Sequence, residues 1–310
     1  MTEPVIGSLR VDGATLHYEV RGQGPLLLLI PGGTGGAAAF DGIADALAAD
    51  HTVVAYDPRG IGSSALDDAE AEQRVSVHAD DALRLLDRLS PGEPARVFGA
   101  SSGAITALHL LTAHPDRVER VVAHEPPVVE VLPDAPEHRA FLARVQDVLR
   151  TRGLLPAMAV FAAGLKDGDD TAASKAEPET ESQAVPEAGS KGGAQAEPEA
   201  GSKAETEAGP ELPPQAAARA ERTRADLPYF LGRIVPAFMA YTPDVPRLEA
   251  LSDRLVLAAG QDSRGELPHR TAAFLAERLG VDLRHFPGGH VGSTTHPAEF
   301  GELLRKTLHA

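Results

Sequence analysis

Gly99-Ala100-Ser101-Ser102-Gly103 reads Gly-x-Ser-x-Gly, and its flanks say what the serine is for. Arg96-Val97-Phe98 before it is strand-like, and Ala104 to Leu111 after it is helix-like. A strand that turns sharply into a helix exposes the central side chain at the tip of the turn. Glycines there admit strained backbone and close neighbours. The helix start aims unpaired N–H groups and its positive dipole end at the same point. A hydroxyl so placed lies beside donors for a developing oxyanion, the layout of nucleophilic catalysis. A Gly/Ser turn without chemistry would spell the same five residues, so the partners decide.

A serine nucleophile needs a base, and the base needs an orienting carboxylate. Of the twelve histidines, His290 lies in a Gly-rich loop after a terminal strand, Phe286-Pro287-Gly288-Gly289-His290. Loops at strand carboxyl ends are where ligand chemistry collects in open α/β sheets. His285 lies inside that strand and His296 precedes Pro297, so both are less free to reach Ser101. Asp262, just past the strand Leu255 to Ala259, is the preferred acid on position, and it gives the chain order Ser, Asp, His. Asp-Ser-Arg-Gly is also good turn chemistry, and Glu125, past the strand ending at Ala123, is the rival acid. For the oxyanion hole the candidates are the backbone N–H groups of Ser102 and of Gly33, in the loop Pro31-Gly32-Gly33-Thr34-Gly35-Gly36. That loop has neither Gly-Lys-Ser/Thr nor Gly-x-Gly-x-x-Gly, which argues against a phosphate cradle.

The elements that must position these residues alternate between strand and helix. Ser8 to Val20 is a hairpin split by Asp12-Gly13. Leu26 to Ile30 is a continuous apolar run, as in a strand covered on both faces. Further strands are expected at Thr52 to Tyr56, Val118 to Ala123, Arg254 to Ala259 and Val281 to Phe286, and helices at Ala37 to Ala49, Val75 to Leu89, Pro268 to Leu279 and Pro297 to Leu308. Strands alternating with helices imply a parallel sheet. The middle of the chain breaks the pattern. Asp134 with Glu137 reads as a capping box before an amphipathic helix, Leu154 to Leu165 as a second helix, and Asp226 to Tyr241 as a third. Between them, Asp167 to about Pro214 is low in complexity, with Pro-Glu-Ala-Gly-Ser-Lys at 186–191 and again at 198–203. Such a segment cannot bury enough apolar surface to offset its chain entropy and is expected to be disordered. The division expected is a core over 1–126 and 246–310 and a helical cap over 127–245 carrying the acidic insert. Phe230, Phe238 and Met239 are candidate pocket residues, with Phe141, Leu154 and Phe161 beside them, although each could merely pack the cap on the core.

At this point the chain resembles the α/β-hydrolase superfamily. The resemblance spans about Leu9 to Pro126 and Asp253 to Leu308. It rests on the Ser101 motif, on Tyr56-Asp57-Pro58-Arg59-Gly60-Ile61-Gly62-Ser63-Ser64, on Gly260-Gln261-Asp262 and on Gly289-His290. It implies a mostly parallel central sheet flanked by helices with an inserted helical cap. It also implies a Ser101, Asp262, His290 triad and a buried Asp57–Arg59 pair holding the loop after its strand. Pro31 stands where many members carry His, and Ser101 replaces the Asp of epoxide hydrolases and haloalkane dehalogenases. The expected activity is hydrolysis of an ester-like bond in a small molecule, without metal or organic cofactor. Lactone, thioester, carbon–carbon and perhydrolysis chemistry use the same triad, an amidase or peptidase has less support, and a non-enzymatic receptor on the same fold is the alternative class.

Composition narrows the rest. The 310 residues suffice for one large α/β domain with an insertion, and cysteine is absent, which excludes disulfides and a thiol nucleophile. The net charge of −16 argues against nucleic acid as a partner. From Asp167 to Glu211 three Asp and nine Glu stand against three Lys, so more than half of the charge belongs to one segment. No secretory signal or membrane-length apolar run is visible, and a cytoplasmic protein is the default expectation. The sequence leaves oligomeric state and substrate identity open.

Overall fold

The computed structural model describes residues 3–166 and 214–309. The acidic repeat expected to be disordered lies outside the described residues, apart from Pro214. The chain opens with the hairpin β1 (Val5–Val11) and β2 (Ala14–Arg21) and continues through β3 (Leu26–Ile30). A 3-10 turn over Ala37–Phe40 and α1 (Asp41–Leu47) stand where one continuous helix was expected. Then come β4 (Thr52–Tyr56), a short β5 (Ala65–Leu66), α2 (Val75–Leu89), β6 (Ala95–Ala100), α3 (Ser102–Ala113) and β7 (Val118–His124). A helical insert follows: α4 (Ala135–Arg152), α5 (Leu154–Lys166), α6 (Pro214–Tyr229), α7 (Val235–Met239) and α8 (Val245–Ala250). The sheet resumes with β8 (Leu255–Gly260), α9 (Leu267–Leu279) and β9 (Leu283–Phe286), and the chain closes with α10 (Gly292–Thr295) and α11 (Pro297–His309).

The strands form one sheet in the order β1-β2-β4-β3-β6-β7-β8-β9, with β5 beside β2. Pairs from β4 through β9 are parallel, and those of β2 with β1, β4 and β5 are antiparallel. The leucine run of β3 has the two-sided burial expected of a central strand. Leu26, Leu28 and Ile30 join the core under α2 and α3, while Leu27 and Leu29 face α1 and α11. A third apolar cluster holds the helical insert, with Leu142, Val145, Phe161, Leu231 and Met239 among its members. Between α6 and α7 the backbone passes through a π turn, Phe230–Ile234, with Val235 N–H reaching back to Phe230 O. Pro228 and Pro236 flank it and supply no N–H to the ordinary ladder, which is the local reason for the wider turn.

Two expected pairings are not made. Asp134 does precede α4, but its carboxylate is drawn to Arg270 at 2.8 Å and to His138 at 3.2 Å, not to the Glu137 N–H. A guanidinium is the stronger partner, so the capping box gives way. Nor do Asp57 and Arg59 pair. Arg59 grips Asp81 of α2 with two hydrogen bonds of 2.6 Å. Asp57 instead accepts the N–H groups of Ala37 at 2.8 Å and Ser63 at 2.7 Å, tying the loops after β3 and β4 together. Backbone N–H groups of two loops claim the aspartate, and a bidentate partner on α2 decides where the arginine goes.

Among the described residues three histidines, His51, His78 and His124, are almost wholly buried. Burial holds His78 down to about 3, with Arg59 nearby adding to the effect. Burial likewise lowers His124 to about 4, against the pull of Glu125. Both groups bind protons more weakly when folded than the ordinary value of 6.5, so the unfolded chain is protonated first as pH falls. Their destabilising effect is therefore absent above pH 6.5 and grows as pH falls toward 4. The unfolding free energy, measured by denaturant titration, is expected to fall over this window. His78→Gln is expected to flatten that slope. A stability independent of pH in the wild type would contradict the account.

Candidate active site

The strand order reverses between β3 and β6. The chain leaves β3 toward β4 on one side and leaves β6 toward β7 on the other, so the two following loops diverge and open a crevice at their carboxyl ends. Ser101 stands at that crevice with φ 54 and ψ −122, a conformation that costs an L-residue about 1–3 kcal/mol. The surroundings hold it. Ser101 N–H donates to His124 O at 2.9 Å, and Ser101 O accepts from Ala104 at 2.9 Å. The flanking glycines are required by close approach. A Cβ on Gly99 would lie 2.5 Å from Gly103 O, and one on Gly103 would lie 2.2 Å from Ile30 O. As the first residue of α3, Ser102 has an N–H with no acceptor inside the helix. Gly33, at φ 58 in the loop after β3, donates its N–H to the Ser102 Oγ at 3.2 Å.

Past β7, Glu125 is the second residue with side chain and positive φ, at 49°. Its N–H donates to Ala258 O at 2.9 Å, which pins it to β8. Its carboxylate is fully buried, and Oε2 lies 2.6 Å from His290 Nδ1. Oε1 accepts the Gly260 N–H at 2.8 Å and the Ser263 hydroxyl. Burial alone would raise this carboxyl. The hydrogen bond from His290, the neighbouring charge of His124 and the Ser263 hydroxyl outweigh it and hold the group down to about 2. An ionised carboxylate only accepts, so Nδ1 of His290 carries the proton and Nε2 is left as the basic nitrogen of the neutral ring. The charge of Glu125 contributes stability that is present above its ordinary 4.5 and is lost as pH falls toward 2.

The carboxylate beside the histidine is therefore Glu125, and the preference for Asp262 is corrected. Asp262 is exposed, and its N–H donates to Gly288 O at 3.0 Å. The sheet register gives the reason. His124 pairs with Ala258, while β8 runs on to Gly260 opposite Phe286. Asp262 thus lies well beyond the level at which Glu125 leaves β7, and the chain turns it outward while Ser263 points in. Ser263 was missed by sequence reasoning. A buried serine next to an exposed aspartate in a turn carries no signal that separates it from ordinary turn chemistry.

Ser101, Ser102, Gly33 and His290 all border one cavity of about 260 Å³. Phe230, Phe238 and Met239 line it from the insert, together with Phe161, Leu165 and Ile234. Phe141 and Leu154 do not line it and pack within the insert's own cluster. Among the described residues the lining contains no Asp, Glu, Lys or Arg. Among the described residues no group of three or more His, Asp or Glu could hold a metal ion, and no helix is long and apolar enough to cross a membrane.

Because Gly103 lets α3 approach the end of β3, Gly103→Ala is expected to lower the unfolding free energy by about 3 kcal/mol. Chemical denaturation reads this directly. A stable variant would mean that the elbow tolerates a shifted helix.

The sequence pattern of the alpha/beta hydrolase fold family matches residues 25–264. The uncharacterized hydrolase YraK of Bacillus subtilis (strain 168) is 32% identical over 310 residues, which cover 97% of this chain and 95% of that one. Among solved structures, a thermophilic esterase from Thermogutta terrifontis has a TM-score of 0.66 at 16% identity, covering 99% of this chain and 98% of its own. The enol-lactonase from Burkholderia xenovorans LB400 has a TM-score of 0.63 at 17% identity, covering 98% of this chain and 100% of its own. Likeness at such low identity speaks for the fold alone. With the family pattern and a full-length relative in agreement, the chain belongs to the α/β-hydrolase fold family.

Proposed function

We propose that this protein is a serine hydrolase that cleaves an ester-like bond of an uncharged, apolar small molecule through an acyl-enzyme. The observation that carries the proposal is the buried Glu125 at 2.6 Å from His290 Nδ1, with both His290 and the strained Ser101 on one apolar cavity. A carboxylate buried beneath a histidine, with two further donors fixing it, orients the ring and stabilises its cation. Ser101 Oγ attacks the substrate carbonyl as His290 Nε2 takes its proton. The N–H groups of Gly33 and Ser102 stabilise the oxyanion. His290 then gives its proton to the leaving alcohol, and the same nitrogen activates water against the acyl-enzyme. Asp262 has no part in this sequence.

The cavity supports the substrate class. Among the described residues no charged side chain lines it to hold an ionic substrate, and aromatic and aliphatic side chains of the insert face the nucleophile. A volume of about 260 Å³ suits a short to medium acyl group. Folds like this one occur in an esterase and an enol-lactonase, and an internal ester is attacked by the same steps.

Hydrolysis of p-nitrophenyl esters from acetyl to decanoyl tests the proposal. Wild-type turnover is expected to peak at short to medium chains, and Ser101→Ala is expected to abolish it. Glu125→Gln is expected to lower kcat by roughly 10³ to 10⁴, the scale seen when a triad acid is removed, with KM little changed. Asp262→Asn is expected to stay within about two-fold of wild type, since an exposed carboxylate that is not the one bonded to His290 contributes little. Loss of activity in Asp262→Asn with Glu125→Gln intact would reverse the assignment of the acid. A folded wild type that hydrolyses none of the esters would overturn the reading in favour of a ligand-binding protein.

A further inference from the structure

We propose that the Ser102 hydroxyl is a third donor to the oxyanion, beside the backbone N–H groups of Gly33 and Ser102. The proposal rests on the serine-hydrolase reading. Its starting point is the 3.2 Å hydrogen bond from Gly33 N–H to Ser102 Oγ. This places the side chain of the residue after the nucleophile at the donor that is to meet the oxyanion. Ser102 borders the catalytic cavity and also a void of about 10 Å³ behind it, with Gly33 bordering both. The position that a Gly33 Cβ would occupy has no atom within 4 Å, so this side of the loop is open to a ligand.

The hydroxyl has two lone pairs and one hydrogen. One lone pair accepts Gly33 N–H, and among the described hydrogen bonds none uses the Ser102 hydroxyl as donor. The void behind it has room for one water at most, so the hydrogen has little solvent on that side. The direction left for it is the catalytic cavity. The bond from Gly33 is also longer than the usual 2.9–3.0 Å of an N–H···O pair, whereas a charged oxygen draws donors to about 2.7–2.9 Å. While the substrate is a neutral carbonyl, Ser102 Oγ keeps the Gly33 N–H aligned. As charge develops on that oxygen, Gly33 N–H and Ser102 O–H both turn to it. Because the interaction strengthens only as charge forms, it acts on kcat and leaves KM nearly unchanged.

The test compares wild type, Ser101→Ala, Ser102→Ala and Ser102→Thr in two assays. One is p-nitrophenyl ester turnover, and the other is the rate of phosphonylation by an alkyl fluorophosphonate, whose phosphoryl oxygen gathers charge during attack by serine. The wild type is expected to label and Ser101→Ala to remain unlabelled. Ser102→Ala is expected to label and turn over about 10- to 100-fold more slowly, somewhat below the 10² to 10³ known for a dedicated oxyanion donor, with KM within about two-fold. Ser102→Thr keeps the hydroxyl and is expected to recover most of the rate. Should Ser102→Ala lower the melting temperature, Ser102→Cys, close in size and a poorer donor, carries the same comparison. Labelling of Ser102→Ala at or above the wild-type rate would overturn the proposal while leaving the hydrolase reading intact. Ser102→Thr as slow as Ser102→Ala would also overturn it, because shape and not the donor would then matter. Failure of the wild type to label would overturn the hydrolase reading and this role with it.

Discussion

A serine at φ 54 and a glutamate at φ 49 are two strained residues that neighbouring strands must hold in place. Each costs about 1–3 kcal/mol, and neither turn is stable on its own. The buried parallel sheet resists this strain. Ser101 N–H reaches across to His124 O on β7, and Glu125 N–H reaches across to Ala258 O on β8, so each strained residue is anchored to the next strand. The chain of anchors runs β6 to β7 to β8, and Gln261 N–H extends it to Phe286 O on β9, the strand before the His290 loop. Nucleophile strand, acid strand and histidine strand are thus coupled through backbone hydrogen bonds before any side chain is considered.

Side chains then use that rigidity. The Gly103 contact with Ile30 brings α3 against the end of β3, so the donor loop after β3 and the start of α3 share one crevice. Asp57 fastens the far side of the donor loop through Ala37 N–H while also holding Ser63 N–H. The insert closes the crevice from above with Phe161, Phe230 and Phe238. An apolar wall strengthens every electrostatic contact beneath it, because the local dielectric is low and few waters compete. The pressure of burial on Glu125 is countered only by its hydrogen bonds and nearby histidines, so its charge depends on an intact surrounding structure.

Much of the fold was legible in the chain because local patterns and global burial agree. Leu26 to Ile30 is apolar throughout because both faces of a central strand are covered, and Val75 to Leu89 shows one apolar face because α2 packs with one side. The elements that were missed or misjudged are those whose form depends on a neighbour. Ala65–Leu66 is a strand only because β2 offers an edge. Phe230–Ile234 is a π turn flanked by two prolines within a pattern that reads as plain helix. Asp134 leaves its capping role because Arg270, more than a hundred residues away, is a better partner.

By itself, the sequence determined the strand-helix alternation, the glycine-flanked Ser101 turn, the His290 loop and a short set of carboxylates at strand ends. These follow from spacing, residue size and backbone freedom, which are local. Only the tertiary structure decided which carboxylate meets His290. Asp262 and Glu125 both follow a strand, and their residue types are equally suited to the task. The register of β7 against β8 sets how far each projects, and the turn after Gly260 sends Asp262 to solvent and Ser263 inward. A two-residue difference in where adjacent strands end cannot be seen in either strand alone, because it is a property of their pairing.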